Sequence, residues 1–120
     1  MKIEARQNGT IPVLAPQGRV TIGESALALK TALDEALQAG APHIILDGAR
    51  MEYLDSTGIG EIIAAARRLS ESGGGRIGIA RPSPKLREIF EITGLRVLFI
   101  VADTEEGVVE ALAVADPARF

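Results

Sequence analysis

The 120-residue chain has no cysteine, no tryptophan, one histidine and only 3% aromatic residues. Without cysteine there is no disulfide, no thiolate nucleophile and no sulfur-ligated zinc or iron–sulfur site. The lone histidine, His43, weakens most zinc-site and general-base schemes as well. No run reaches the roughly 18 apolar residues of a membrane helix, because the most apolar stretches, 62–66 and 97–102, soon meet charge. Membrane insertion is therefore not expected. The opening residues Met1-Lys2-Ile3-Glu4-Ala5-Arg6 carry charge where a secretory signal needs apolar bulk, so the expected location is the cytoplasm. Positive charge is not in excess either: 13 Lys+Arg stand against 16 Asp+Glu, a formal charge of −3, and the basic residues are scattered. That leaves no electrostatic footprint for a nucleic-acid backbone.

The chain does have the balance of an ordinary globular protein, 47% hydrophobic residues against 24% charged. Its length fits one domain, 1–120, with a core from about 2 to 115 and a loose tail at 116–120. Folding at this size hides about two-thirds of the unfolded surface, enough for one core without covalent staples. No internal repeat, heptad array or low-complexity tract interrupts it.

Short apolar runs alternate with longer helical patterns, the mark of βαβ units around a mostly parallel sheet. Residues 2–6 and 11–15 read as strands of a hairpin turning at Asn8-Gly9, and Pro12 and Pro16 push that hairpin toward a sheet edge or a bulge. Thr21 and Glu24 have capping-box spacing ahead of a helix over 24–39, with Ile22, Ala26, Leu29, Leu33 and Leu37 on its apolar stripe. A strand at 43–47 follows, then a loop through Arg50-Met51-Glu52-Tyr53-Leu54. A second helix at 56–72 carries Ile59, Ile62, Ile63, Ala66 and Leu69 on one face. The run Gly73-Gly74-Gly75 ends it before a strand at 76–80. Ser83-Pro84 starts a third helix running to about residue 92 and closed by Gly94. The last strand is placed at 97–101, and Asp103, Glu105 and Glu106 open a final helix with Val108, Val109, Leu112 and Ala113 inward. The expected fold is α/β: a mixed, mostly parallel sheet of about five strands with an N-terminal edge hairpin and about four helices.

Most chemical motifs are excluded by spacing. Gly58-Ile59-Gly60 begins like a dinucleotide fingerprint but lacks the third glycine and the acidic partner, and no phosphate loop ends in Gly-Lys-Ser/Thr. His43 and Ser56 sit at opposite ends of one strand-and-loop segment, about 15 Å apart by strand rise alone, which rules against a hydrolase triad. His43 is expected near the surface at a strand start. What remains is Asp55-Ser56-Thr57-Gly58, between a strand-end loop and an apolar helix, at the sheet edge where parallel α/β proteins carry function. Asp, Ser and Thr are all good N-caps, so a simple cap is one reading. The segment nevertheless holds more cap-competent side chains than one helix start requires. A hydroxyl at a helix N-terminus is also a natural phosphate position. Phosphorylation of Ser56 would add about −1.5 to −2 charges beside Asp55, Glu52 and Glu61 and repel a docked partner.

The segment from Leu46 to Gly60, the glycine run, Pro82-Ser83-Pro84 and Thr93-Gly94-Leu95 resemble the STAS domains of bacterial anti-sigma factor antagonists. The likeness extends from about Ile11 to Leu112, and Asp55-Ser56-Thr57-Gly58 followed by Ile59-Gly60 is its most specific part. It departs at Thr21-Ile22-Gly23-Glu24, a helix entry associated with a subset of single-domain relatives. The resemblance implies a non-enzymatic adaptor without cofactor or metal, monomeric or weakly dimeric. Ser56 would be phosphorylated by an anti-sigma factor that is also a serine kinase and reset by a PP2C-type serine phosphatase. The unphosphorylated form would bind the anti-sigma factor and release a sigma factor. Asp55 would orient the loop or assist the acceptor hydroxyl, while Thr57, Gly58, Ile59 and Gly60 would shape the docking surface, Gly58 by letting a partner backbone come close. The alternative from another class is an unmodified STAS interaction subunit of a membrane transport complex.

Overall fold

Strands β1 (Ile3–Asn8) and β2 (Ile11–Pro16) pair antiparallel from Ile3↔Pro16 to Asn8↔Ile11, turning around Gly9. The computed structural model describes residues 1–92 and 98–115; Gly94 and the 116–120 tail lie outside them. Beyond Gln17 the chain runs straight into β3 (Gly18–Val20), then α1 (Glu24–Gln38), β4 (Ile44–Asp47), β5 (Met51–Leu54) and α2 (Ser56–Gly73). Strand β6 (Ile77–Ala80), α3 (Pro84–Ile92), β7 (Ile100–Ala102) and α4 (Glu105–Ala115) complete it. The main sheet has the order β1-β2-β4-β6-β7, parallel except at the β1 edge, as the alternating pattern predicts. The prolines fit that order. Strand β2 contacts β4 through Val13↔Ile45 and Leu14↔Leu46, and Pro12 and Pro16 flank this paired stretch without interrupting it.

Four details differ from the sequence-based expectation. The segment expected as a loop at 50–54 contains β5, which pairs parallel with β3 in a separate two-stranded sheet. Gly18 N donates to Arg50 O at 2.9 Å, so this pair carries the β2–β4 direction past the end of the main sheet. The capping box is not formed: Gly23 is the α1 N-cap and makes no side-chain cap bond. Instead the Thr21 amide donates to Ser25 Oγ (2.9 Å), whose hydroxyl donates back to Thr21 O (3.0 Å). Strand β7 begins at Ile100, later than the residue 97 expected. Ala113 is exposed, and the inward face of α4 is Val108 and Leu112 with Val109 partly buried against them.

Alternation along the central strands divides the apolar residues between two faces. Leu14, Ile44, Leu46, Ile77 and Ile79 join Leu29, Leu33, Ile62, Leu69, Leu86 and Phe90 from α1, α2 and α3 in the larger core. Val13, Ile45 and Ala80 meet Val108 and Leu112 of α4 on the other face. No helix among the described residues is long and apolar enough to cross a membrane.

The α4 face is pinned by charge. Asp47, 5% exposed at the end of β4, accepts from Arg81 through Nε at 3.1 Å and through Nη2. Arg81 reaches it from a left-handed backbone, φ +49, unusual for a side chain of this size. Arg6 on the edge strand lies 3.9 Å from Asp47 and forks onto Glu105 at the start of α4, where Asn8 Nδ2 also donates at 2.6 Å. These donors, Arg6 foremost, hold the Glu105 carboxyl at about 2, against an ordinary 4.5, although partial burial works the other way.

A carboxyl held low in the folded state stabilises the fold above its unfolded value and loses that contribution as pH falls through the folded one. Stability should therefore drop between about pH 4.5 and pH 2, and Glu105→Gln should flatten that part of a urea-midpoint profile. Packing of α4 depends on Gly78, where an added Cβ would collide with Val108 Cγ1. Gly78→Ala should destabilise by about 1–3 kcal/mol, read as a lower urea midpoint at unchanged slope.

Candidate functional site

Asp55 lies between β5 and α2 in an extended conformation, φ −91° and ψ −178°, which makes it the N-cap of the 18-residue helix. Its Oδ1 accepts from the Gly58 amide at 3.0 Å. Its Oδ2 accepts from the Ile22 amide, 33 residues earlier, at 2.8 Å. Its own amide donates to Val20 O at 3.0 Å, and its carbonyl accepts from Ile59 N at 3.0 Å. One residue thus joins the end of β3, the β3–α1 loop and the first turn of α2. The amides of Gly58 and Ile22, in that order, hold the Asp55 carboxyl below the usual aspartate range, so it is ionised at neutral pH.

With each oxygen accepting from an amide, Asp55 ties the first turn of α2 to the β3–α1 loop. Ser56 is the first residue of α2 and is exposed. Among the described residues no hydrogen bond engages its hydroxyl. The oxygen therefore stands open at the positive end of the helix dipole beside a fixed carboxylate. It is accessible to a reagent brought from outside, with no base of its own.

The neighbours divide between surface and core. Thr57 and Ile59 are half-buried, and Ile59 packs against the larger core. Gly60 is exposed, with open space where a Cβ would stand. Gly58 is buried, and a Cβ there would lie 2.9 Å from Val20 Cγ1 and 3.1 Å from Leu54 Cδ2. The missing side chain at Gly58 lets α2 approach β3 and β5 from within. On the outer side of the same strand pair, the Arg19 guanidinium lies 4.5 Å above the Tyr53 ring.

His43 is 3% exposed and its Nδ1 accepts from Arg76 N at 3.0 Å, so it is a buried join between β4 and β6 rather than a surface residue. It directly precedes β4 while Ser56 follows β5, at opposite ends of that segment. Among the described residues no three His, Asp or Glu side chains are grouped to hold a metal ion.

One residue of the site escapes the pattern reading. Ile22 fits the apolar stripe of α1 by spacing, yet it is 77% exposed because Gly23 starts the helix after it. The signal was Gly23 itself, which breaks helical phase before Glu24.

The STAS-domain family model matches residues 2–111, and the chain belongs to that family. It is 29% identical over 93 residues to a candidate anti-sigma factor antagonist, BtrV, of Bordetella bronchiseptica, covering 78% of this chain and 79% of that one. The crystal structure of a candidate anti-sigma factor antagonist from Thermotoga maritima superposes with a TM-score of 0.83 at 25% identity, over 92% of this chain and 93% of the other. The Bacillus cell-fate determinant SpoIIAA in its phosphorylated form shares the fold, with a TM-score of 0.69 at 23% identity over 92% and 98% of the two chains.

Gly58→Ala and Gly60→Ala separate the two glycines experimentally. The first should cost about 1–3 kcal/mol in urea unfolding because Val20 and Leu54 must move. The second should be neutral or raise stability by up to about 1 kcal/mol, because alanine is the better helix former and nothing is in its way.

Proposed function

We propose that this protein is a phosphorylation-switched anti-sigma factor antagonist acting in the cytoplasm, with Ser56 as the phosphoacceptor. Unphosphorylated, it binds an anti-sigma factor that is also a serine kinase, and a sigma factor is released. In the transfer, Ser56 Oγ forms the new bond to the γ-phosphorus of ATP, the bond to the ADP oxygen breaks, and the hydroxyl proton passes to a base of the kinase. The base, the metal and the nucleotide are the partner's, and a PP2C-type phosphatase reverses the step.

The observation that carries this reading is the exposed, unengaged Ser56 hydroxyl at the first position of α2. The ionised Asp55 next to it has no proton to donate and repels the new phosphate, since both are anions. The added charge therefore stays at the surface and repels the partner without refolding the domain. The names of the relatives, and the phosphorylated form described for SpoIIAA, support the same reading.

Incubation with the kinase-type anti-sigma factor of the same genome and ATP should add one phosphoryl group to the intact mass, lost in Ser56→Ala. Ser56→Ala should stay bound to that kinase, and Ser56→Asp should not. An unchanged mass together with full binding by Ser56→Asp would refute the assignment.

A further inference from the structure

Isolated exposed apolar side chains are common on protein surfaces and by themselves mean nothing. Ile22 differs in being held still. Its amide is bound by Asp55 at 2.8 Å, Thr21 before it is locked to Ser25, and Gly23 after it turns the chain with φ +110. Most of the isoleucine surface, 77%, is nevertheless left to water. The site therefore presents an apolar side chain on a backbone fixed by hydrogen bonds before any partner arrives, which removes the backbone share of the ordering cost of burial.

What covers it follows from distance. Asp55 directly precedes Ser56, so bond lengths and the hydrogen bond place the Ile22 Cα within about 12 Å of the Ser56 Cα. A standard interface covers about 800 Å² on each partner, a disc of about 16 Å radius. An interface of that size centred on Ser56 reaches Ile22. Glu24, two residues further on, lies 3.7 Å from the N-terminal ammonium yet keeps 92% of its side chain exposed, so the matching surface is apolar with a basic edge.

We propose that Ile22 is the apolar anchor of the Ser56 surface, seated in an apolar pocket with a basic edge on the anti-sigma factor that docks there. The proposal rests on the reading of Ser56 given above. Asp55 then serves two ends, setting the first turn of α2 and fixing the anchor beside it. Because Ile22 lies off the reacting oxygen, it contributes to docking and not to the chemical step.

The test titrates the purified kinase-type anti-sigma factor of the same genome with wild type, Ile22→Ala, Val114→Ala and Ser56→Asp, and follows phosphorylation of the first three. Val114 is a matched control, 69% exposed on α4 across the sheet. Ile22→Ala should bind about tenfold to a hundredfold more weakly, with KM raised and kcat kept, at an unchanged urea midpoint. Val114→Ala should match wild type. Binding of Ile22→Ala within about twofold of wild type, while Ser56→Asp fails to bind, would overturn the anchor and leave the Ser56 reading intact. Full binding by Ser56→Asp would overturn both.

Discussion

A single carboxylate sets the geometry of the surface. Asp55 takes the Gly58 amide with one oxygen and the Ile22 amide with the other, so a local helix cap is at the same time a bond between segments 33 residues apart. N-caps ordinarily satisfy only the amides of their own helix. Here the second oxygen fixes the loop that enters α1.

The rest of the fold holds that carboxylate in place. The β3–β5 pair carries Val20 and Leu54 under α2, and only a residue without a side chain, Gly58, lets the helix come down onto them. The larger core behind α1, α2 and α3 makes this end of the molecule stiff. On the far face, Arg6, Asp47, Arg81 and Glu105 fix α4 to the sheet without reaching the Ser56 edge. Charge thus pins α4 to the sheet through Asp47 and Glu105, while at α2 the Asp55 carboxylate joins a helix cap to a distant loop.

Much of this was legible in the residues. Apolar runs of strand length between helical stripes gave the βαβ order, and Asp55-Ser56-Thr57-Gly58 ahead of a long stripe marked the cap of α2. What escaped has physical reasons. Strands β3 and β5 are three and four residues long, too short for alternation to show, and each exists through its pairing with the other. Ile22 matched the helical period but lies ahead of the helix, since phase alone does not report where a helix starts. His43 is buried because Arg76 N, distant in sequence, supplies a hydrogen-bond partner. The second amide on Asp55 also comes from a remote loop, and no local pattern contains it.

The most direct measurement of the double engagement of Asp55 is a pH titration of backbone amide shifts by NMR. The Ile22 and Gly58 amide protons should move together with one common midpoint, below the ordinary aspartate value of 3.8. An Ile22 amide that does not follow the Gly58 transition, or a midpoint at the ordinary value, would contradict the account.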